Sequence, residues 1–213
     1  MATIRPITIH GDPVLHRRAT EVTEITPEIV TLVQDMHLTQ RVANGVGLAA
    51  PQVGVGLRIF TWGYEDTAGV APTHGEVINP VLTVLGKISE EEPDRTEDTE
   101  GCLSVPGLGF PLQRSDHVRL QGFTVNGDAL DFEATGWFAR IMQHEFDHLN
   151  GTLYVNRLNK RWSKRWKKEL KKHGWTTEGR TWLPGNDQDP FGHEVDAEAL
   201  AEAEDTPNSR HDS

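Results

Sequence analysis

The run His144-Glu145-Phe146-Asp147-His148 sets two imidazoles four residues apart with a carboxylate between them. On a helix, positions i and i+4 stand one turn apart on the same face, so both rings can reach one ion, and the glutamate beside it can handle protons. A divalent metal held there turns bound water into hydroxide near neutral pH, with Glu145 as general base. Two histidines leave the ligand set incomplete. The single cysteine, Cys102 in Glu100-Gly101-Cys102-Leu103-Ser104, is the candidate third ligand, with water in the fourth position. Its thiolate is the binding form, and a cation keeps it deprotonated. Coordination chemistry alone suggests Zn2+ for a Cys-His-His set.

The helix that must carry the pair runs from about Thr135 to Leu149 and stops at Asn150-Gly151. Trp137, Phe138, Ile141, Met142, Phe146 and Leu149 fall on several of its faces. That distribution predicts a buried helix, and hence a rigid platform. Thr26-Pro27 opens an earlier helix through about Val42, with Ile29, Leu32, Val33 and Met36 as its buried stripe and Asn44-Gly45 as its stop. Strand-like runs follow at Arg58–Trp62, Glu76–Ile78, Val81–Lys87, Val118–Phe123 and Ala129–Glu133, the last two joined by the turn Asn126-Gly127-Asp128. Gly63–Gly75 and Ser89–Glu100 read as loops, the second a solvated acidic run. The pattern predicts an α+β domain with antiparallel sheets packed around the central metal-binding helix.

With 213 residues the chain is long enough to bury a core as one domain. The first residues lack a signal-peptide pattern, and no apolar run approaches the ~20 residues that span a bilayer. A lone cysteine rules out an internal disulfide and suits a reducing compartment, so the expected protein is cytoplasmic, monomeric and not membrane-bound. The net charge of −11 is unevenly spread, being −11 over residues 1–156, +8 over 157–175 and −8 over 176–213. The expected organisation is a catalytic unit over 1–158, a basic helix over 159–175 and an acidic, mobile tail over 176–213. In the helix, Trp162, Trp166 and Leu170 recur every four residues among Lys and Arg. Such a face is a solvated surface, a docking surface for a polyanion such as RNA, or, as a weaker alternative, a membrane-surface helix.

Three segments occur in order along the chain: Gly45-Val46-Gly47-Leu48-Ala49-Ala50-Pro51-Gln52, Glu100–Ser104 and Gln143–His148. They closely resemble the three signature motifs of the peptide deformylases, and the resemblance extends over roughly Ile7 to Leu158, including the opening Gly11-Asp12-Pro13-Val14-Leu15. It implies a hydrolase of N-terminal processing in protein biosynthesis, which removes the formyl group from the formylmethionine of nascent polypeptides. It further implies one divalent ion on Cys102, His144 and His148, with Fe2+ favoured and Zn2+, Ni2+ or Co2+ able to occupy the site. Glu145 would take a proton from water on the metal and deliver it to the leaving amine. The Gln52 amide and the Leu103 backbone N–H would stabilise the negative oxygen. Gly45, Val46, Gly47, Trp137 and Ile141 would contact the substrate. Asp147 reads either as a hydrogen-bond partner of a ligand histidine or nearby backbone, or as a solvent carboxylate. Val105–Phe110 departs from the Arg-containing stretch of many relatives, which bears on contacts beyond the methionine. Two rivals remain: a His-Glu-x-x-His peptidase with a third ligand at His173 or His193, and a non-catalytic binding module stabilised by metal.

Overall fold

Pro27 at the first turn starts α1 (Pro27–Val42) after Thr26 in extended backbone, and Asn44 at φ +51° helps turn the chain away from it. The computed structural model describes residues 2–64, 74–193 and 197–204. Its strands are β1 (Ile7–Thr8), β2 (Gly47–Ala49), β3 (Ile59–Gly63), β4 (His74–Val84), β5 (Thr99–Cys102), β6 (Val105–Pro111), β7 (His117–Phe123), β8 (Ala129–Thr135) and β9 (Thr181–Trp182). The remaining helices are α2 (Gly136–Leu149), α3 (Lys160–His173) and α4 (Ala197–Glu204).

A five-stranded antiparallel sheet in the order β2-β3-β4-β7-β8 forms the base, and β8 runs directly into α2. Alternate residues of this sheet, among them Phe60, Trp62, Val77, Val118 and Leu120, pack with Phe138, Ile141 and Met142 of α2. A second cluster, including Met36, Leu48, Ile59, Phe110 and Tyr154, fills the space reached by α1, the β5-β6 hairpin and the tryptophans of α3. The metal helix is thus enclosed, as its apolar faces predict. Its last carbonyl is also satisfied, since buried Arg58 donates to Leu149 O at 3.1 Å. None of the described helices is long and apolar enough to cross a membrane.

The two runs Glu76–Ile78 and Val81–Lys87 join in one strand, β4, which ends at Val84 and leaves Leu85–Lys87 outside it, with a register irregularity between Ile78 and Val81. Pro80 has no N–H to give a ladder, and Asn79 adopts φ +52° while its side chain exchanges two 2.8 Å hydrogen bonds with Val22. Such an irregularity bends a strand without ending it. Strands β2, β5 and β6 went unread because glycines and a proline depress strand propensity there, and cross-strand pairing overrides it. Thr99 and Glu100 belong to β5 rather than to a loop. The Gly63–Gly75 loop is shorter than expected, since Gly63, His74 and Gly75 are in strands and 65–73 lie outside the described residues.

The stretch from 176 onward packs more than its acidity suggests. β9 pairs with β1, Trp182 is buried, and Ala199 of α4 sits with Leu38 and Val42 of α1. A few well-placed apolar groups decide this, where average composition hides them. Residues 194–196 and 205–213, also expected in the tail, lie outside the described residues.

Gly151, just past α2, holds φ +69°, and a Cβ there would lie 2.8 Å from backbone atoms of Arg17. Gly127, in the β7-β8 turn, holds φ +85° with open space around it. Urea unfolding should therefore separate them. Gly127→Ala is expected to lose about 1 kcal/mol from backbone strain alone, and Gly151→Ala clearly more, because its clash is with main chain.

Candidate active site

Helix α2 presents His144 and His148 from successive turns, with ring centroids 5.1 Å apart. The β5-β6 hairpin brings Cys102 to them at a break in its register between Gly101 and Cys102. Cys102 Sγ lies 3.3 Å from His148 Nε2, and one ligand atom from each of the three residues falls within 4.8 Å of the others. Among the described residues this is the cluster of such side chains close enough to hold one ion. His144 Nδ1 is 3.0 Å from Glu100 Oε2. With its proton on that nitrogen, the ring keeps the Nε2 lone pair for a metal. Two buried polar atoms, Glu145 Oε2 and His148 Nδ1, have no hydrogen-bond partner. One cysteine sulfur and two imidazoles make a donor set that fits a divalent transition ion.

Neither downstream histidine belongs to that cluster, although His193 lines the neighbouring cavity. His173 stacks on Trp175 with centroids 4.5 Å apart, and His193 lies 3.7 Å from Asp189. This leaves the peptidase reading without its third ligand.

Burial pushes the Glu145 carboxyl up to about 7, against the opposing positive charge of His144 and Arg114. His144 is held well above the usual imidazole value despite burial, because Cys102 and Glu100 flank it. Burial, reinforced by the charge of His144, holds His148 well below that value. A cation among these groups would favour the Glu145 carboxylate.

The glycine motif becomes strand β2 and a following 3₁₀ turn, Ala50–Val53. A Cβ on Gly47 would overlap the Glu145 carboxylate, and one on Gly45 would come within 2.8 Å of the Leu103 side chain. These glycines admit protein side chains as much as substrate. Gln52, only 1% exposed, accepts from Ala49 N at 2.8 Å, and its Nε2 lies 3.3 Å from Ser104 Oγ and 3.6 Å from Cys102 Sγ. A cavity of about 260 Å³ opens here. Gly45, Val46, Gly47, Gln52, Cys102 and Leu103 line it from one set of segments, and Trp137, Ile141, His144 and Glu145 line it from α2. His148 is fully buried beneath it. Ile141 serves both core and cavity, while Trp137, 39% exposed, stands at its mouth.

The sequence of this chain matches the model of the polypeptide deformylase family over residues 4–164. The chain belongs to the peptide deformylase family. It is 50% identical over 194 residues to a peptide deformylase 2 of Corynebacterium efficiens, covering 91% of this chain and 100% of that one. The crystal structure of the peptide deformylase from Thermus thermophilus superposes with a TM-score of 0.70 at 34% identity, covering 83% of this chain and 100% of that one. A Met-Ala-Ser-bound class I type b peptide deformylase from Acinetobacter baumannii superposes with a TM-score of 0.63 at 32% identity, covering 74% and 100%.

Beneath the deformylase motifs lies an ionic network that the sequence did not announce. Arg114 donates to both oxygens of Glu100, at 2.7 and 2.9 Å, and to Asp147 at 2.6 Å. Arg140 reaches Glu100 at 2.8 Å and Asp98 at 2.7 Å while lying over the Trp137 ring. Glu100, read as part of a solvated acidic run, is 3% exposed, because these arginines compensate its burial. Arg114 and then His144 hold its carboxyl far below the usual range, outweighing the upward push of burial. Asp147 fulfils neither reading made of it: it is buried and pairs with Arg114 and Arg157. One signal was legible, since Arg140 and His144 are four residues apart on one face of α2.

Arg114→Met removes a guanidinium shared by two buried carboxylates. Chemical denaturation should show a loss of about 3–5 kcal/mol, the usual result of stranding a buried charge, with Arg140 and Arg157 limiting it to the lower end.

Proposed function

We propose that the cavity hydrolyses an N-formylmethionyl peptide to formate and a free amine, and that this reaction depends on a divalent ion held by Cys102, His144 and His148. The observation that carries the reading is Glu145, a buried carboxylate with one unpartnered oxygen, beside the ligand cluster and on the cavity wall. A bound ion would supply Lewis acidity, polarising a water and the formyl oxygen. Glu145 accepts the proton released as oxygen bonds to the formyl carbon, then gives it to the peptide nitrogen as the C–N bond breaks. Leu103 N–H and the Gln52 amide are our candidates for steadying the negative oxygen. Val46, Trp137 and Ile141 offer the apolar surface a methionine side chain needs, and Gly45 and Gly47 the close approach of backbone. We take Fe2+ as the working ion on the family resemblance, with Zn2+, Ni2+ and Co2+ as alternatives. A thiolate ligand of this kind suits the cytoplasm.

Formate release from formyl-Met-Ala-Ser by anaerobically purified protein, read beside metal content, tests this directly. Cys102→Ala should lose metal and activity together. Glu145→Ala should keep the metal and lose roughly 10²–10⁴-fold in turnover. Gly47→Ala, which displaces the glutamate, should also keep metal while losing turnover. Near one metal per chain in Cys102→Ala would overturn the ligand assignment.

We also propose that α3 docks the enzyme on the ribosome, where nascent chains emerge. Trp162 and Trp166 are buried in the core, so the helix turns its exposed Lys160, Arg161, Lys164, Arg165, Lys167, Lys168, Lys171 and Lys172 outward. The tryptophans are spent on packing, which disfavours a membrane-surface role. Changing Lys164, Lys167, Lys168 and Lys171 to Glu should sharply reduce co-sedimentation with ribosomes at low salt. Hydrolysis of the free tripeptide should be nearly unaltered, and wild-type binding should weaken as salt rises. Undiminished co-sedimentation of the reversed variant would make α3 a solvated face.

A further inference from the structure

Residues 181–193 lie beyond the 4–164 span matched by the family, yet they return to the cavity. Trp182, in β9, donates Nε1 to Leu103 O at 3.0 Å, one residue from Cys102. The chain then crosses β6, where Pro190 O would sit 2.6 Å from a Cβ at Gly107, a position that also holds φ +68°. Asp189 turns the segment, its Oδ1 accepting from Phe191 N at 2.6 Å and Gly192 N at 3.0 Å. Its Oδ2 lies 3.7 Å from His193 Nδ1. The result is a plate of two rings, Phe191 and His193, with centroids 5.6 Å apart and planes within 9°. Trp182 packs against Phe191 at 6.3 Å. Both plate residues line the cavity that holds Glu145.

We propose that Phe191 and His193 are specificity-determining residues that receive the side chain following the formylmethionine, favouring an aromatic or large aliphatic one. This rests on reading the cavity as the peptide site. The formyl group must reach buried Glu145, and the methionine side chain takes the apolar wall that includes buried Ile141. The rest of the peptide leaves toward solvent, where the His193 side chain is 46% exposed. The plate stands at that exit. Its two parallel rings offer apolar faces to a side chain leaving the cavity.

The test uses the full-length, metal-loaded enzyme with formyl-Met-Ala-Ser and formyl-Met-Phe-Ser, measuring kcat and KM separately. Wild type should prefer the phenylalanine peptide through a lower KM. Phe191→Ala and His193→Ala should each cut kcat/KM for the phenylalanine peptide more than for the alanine peptide, by about tenfold, the scale of apolar-pocket discrimination. The change should sit in KM, with metal content at the wild-type level. Phe191→Leu, which keeps apolar bulk, should recover part of the preference. A wild type indifferent to the two peptides, or equal losses on both in the variants, overturns the proposal. No formate from either peptide with metal-loaded wild type overturns the deformylase reading instead, so the two failures are distinct.

Discussion

A single buried carboxylate ties the site to the fold. Glu100 touches His144 from α2, Arg114 from the segment between β6 and β7, and Arg140 from one turn earlier in α2. It stands two residues before Cys102, so the strand that supplies the thiol also supplies the group that orients one imidazole. An isolated carboxylate at that depth would be expelled or protonated. Two guanidiniums stabilise the charge, and their remaining donors are used on Asp147, Asp98 and Leu112 O. Hairpin, helix and connecting segment are thus fixed relative to one another by charge-assisted bonds of fixed direction, which apolar packing alone does not provide.

Steric constraint completes what the network begins. Strand β2 can pass beside Glu145 because Gly47 has no side chain, and β3 anchors β2 through the pair Leu48 and Thr61. On the other side of α2, Gln143 donates to Ser115 O at 2.7 Å and accepts from Ser115 N at 3.3 Å, bracing the helix against the chain entering β7. The helix is held from both flanks, so the spacing between Glu145 and the ligand cluster is set by the scaffold. Preorganisation of this kind is what the two proton steps we propose for Glu145 require.

Much of this was readable from residue order. Periodicity and stop signals placed α1 and α2 within a residue or two, since long periodic helices carry redundant information. The ligand trio and Glu145 followed from residue type and spacing, supplemented by family resemblance. What stayed hidden depends on contacts distant in sequence. The pairing of Glu100 with Arg114 and Arg140 spans 14 and 40 positions. An acidic run looks solvated until its partners are known, and only one member of that run, Glu100, is deeply buried. Asp147 was ambiguous for the same reason. The contribution of Phe191 and His193 was hidden by composition, because two rings in an acidic stretch leave its average polar.

The charges around the cavity support our assignment of proton transfer to Glu145 rather than to another nearby acid. Asp98, Glu100 and Asp147 are each hydrogen-bonded to arginine, and Arg114, Arg140 and Arg157 supply one guanidinium for every one of these carboxylates. That set is balanced on its own, and in it Arg114 helps hold the Glu100 carboxyl far below the usual range. Glu145 is hydrogen-bonded to none of the three arginines. Against its burial it has the charge of His144 and Arg114, and burial prevails. Protonation of Glu145 upsets no arginine pair, whereas protonation of Glu100 would weaken its bonds to both Arg114 and Arg140. The arginine network therefore does more than hold the helix: it engages Asp98, Glu100 and Asp147 in ion pairs and leaves Glu145 as our candidate for proton exchange.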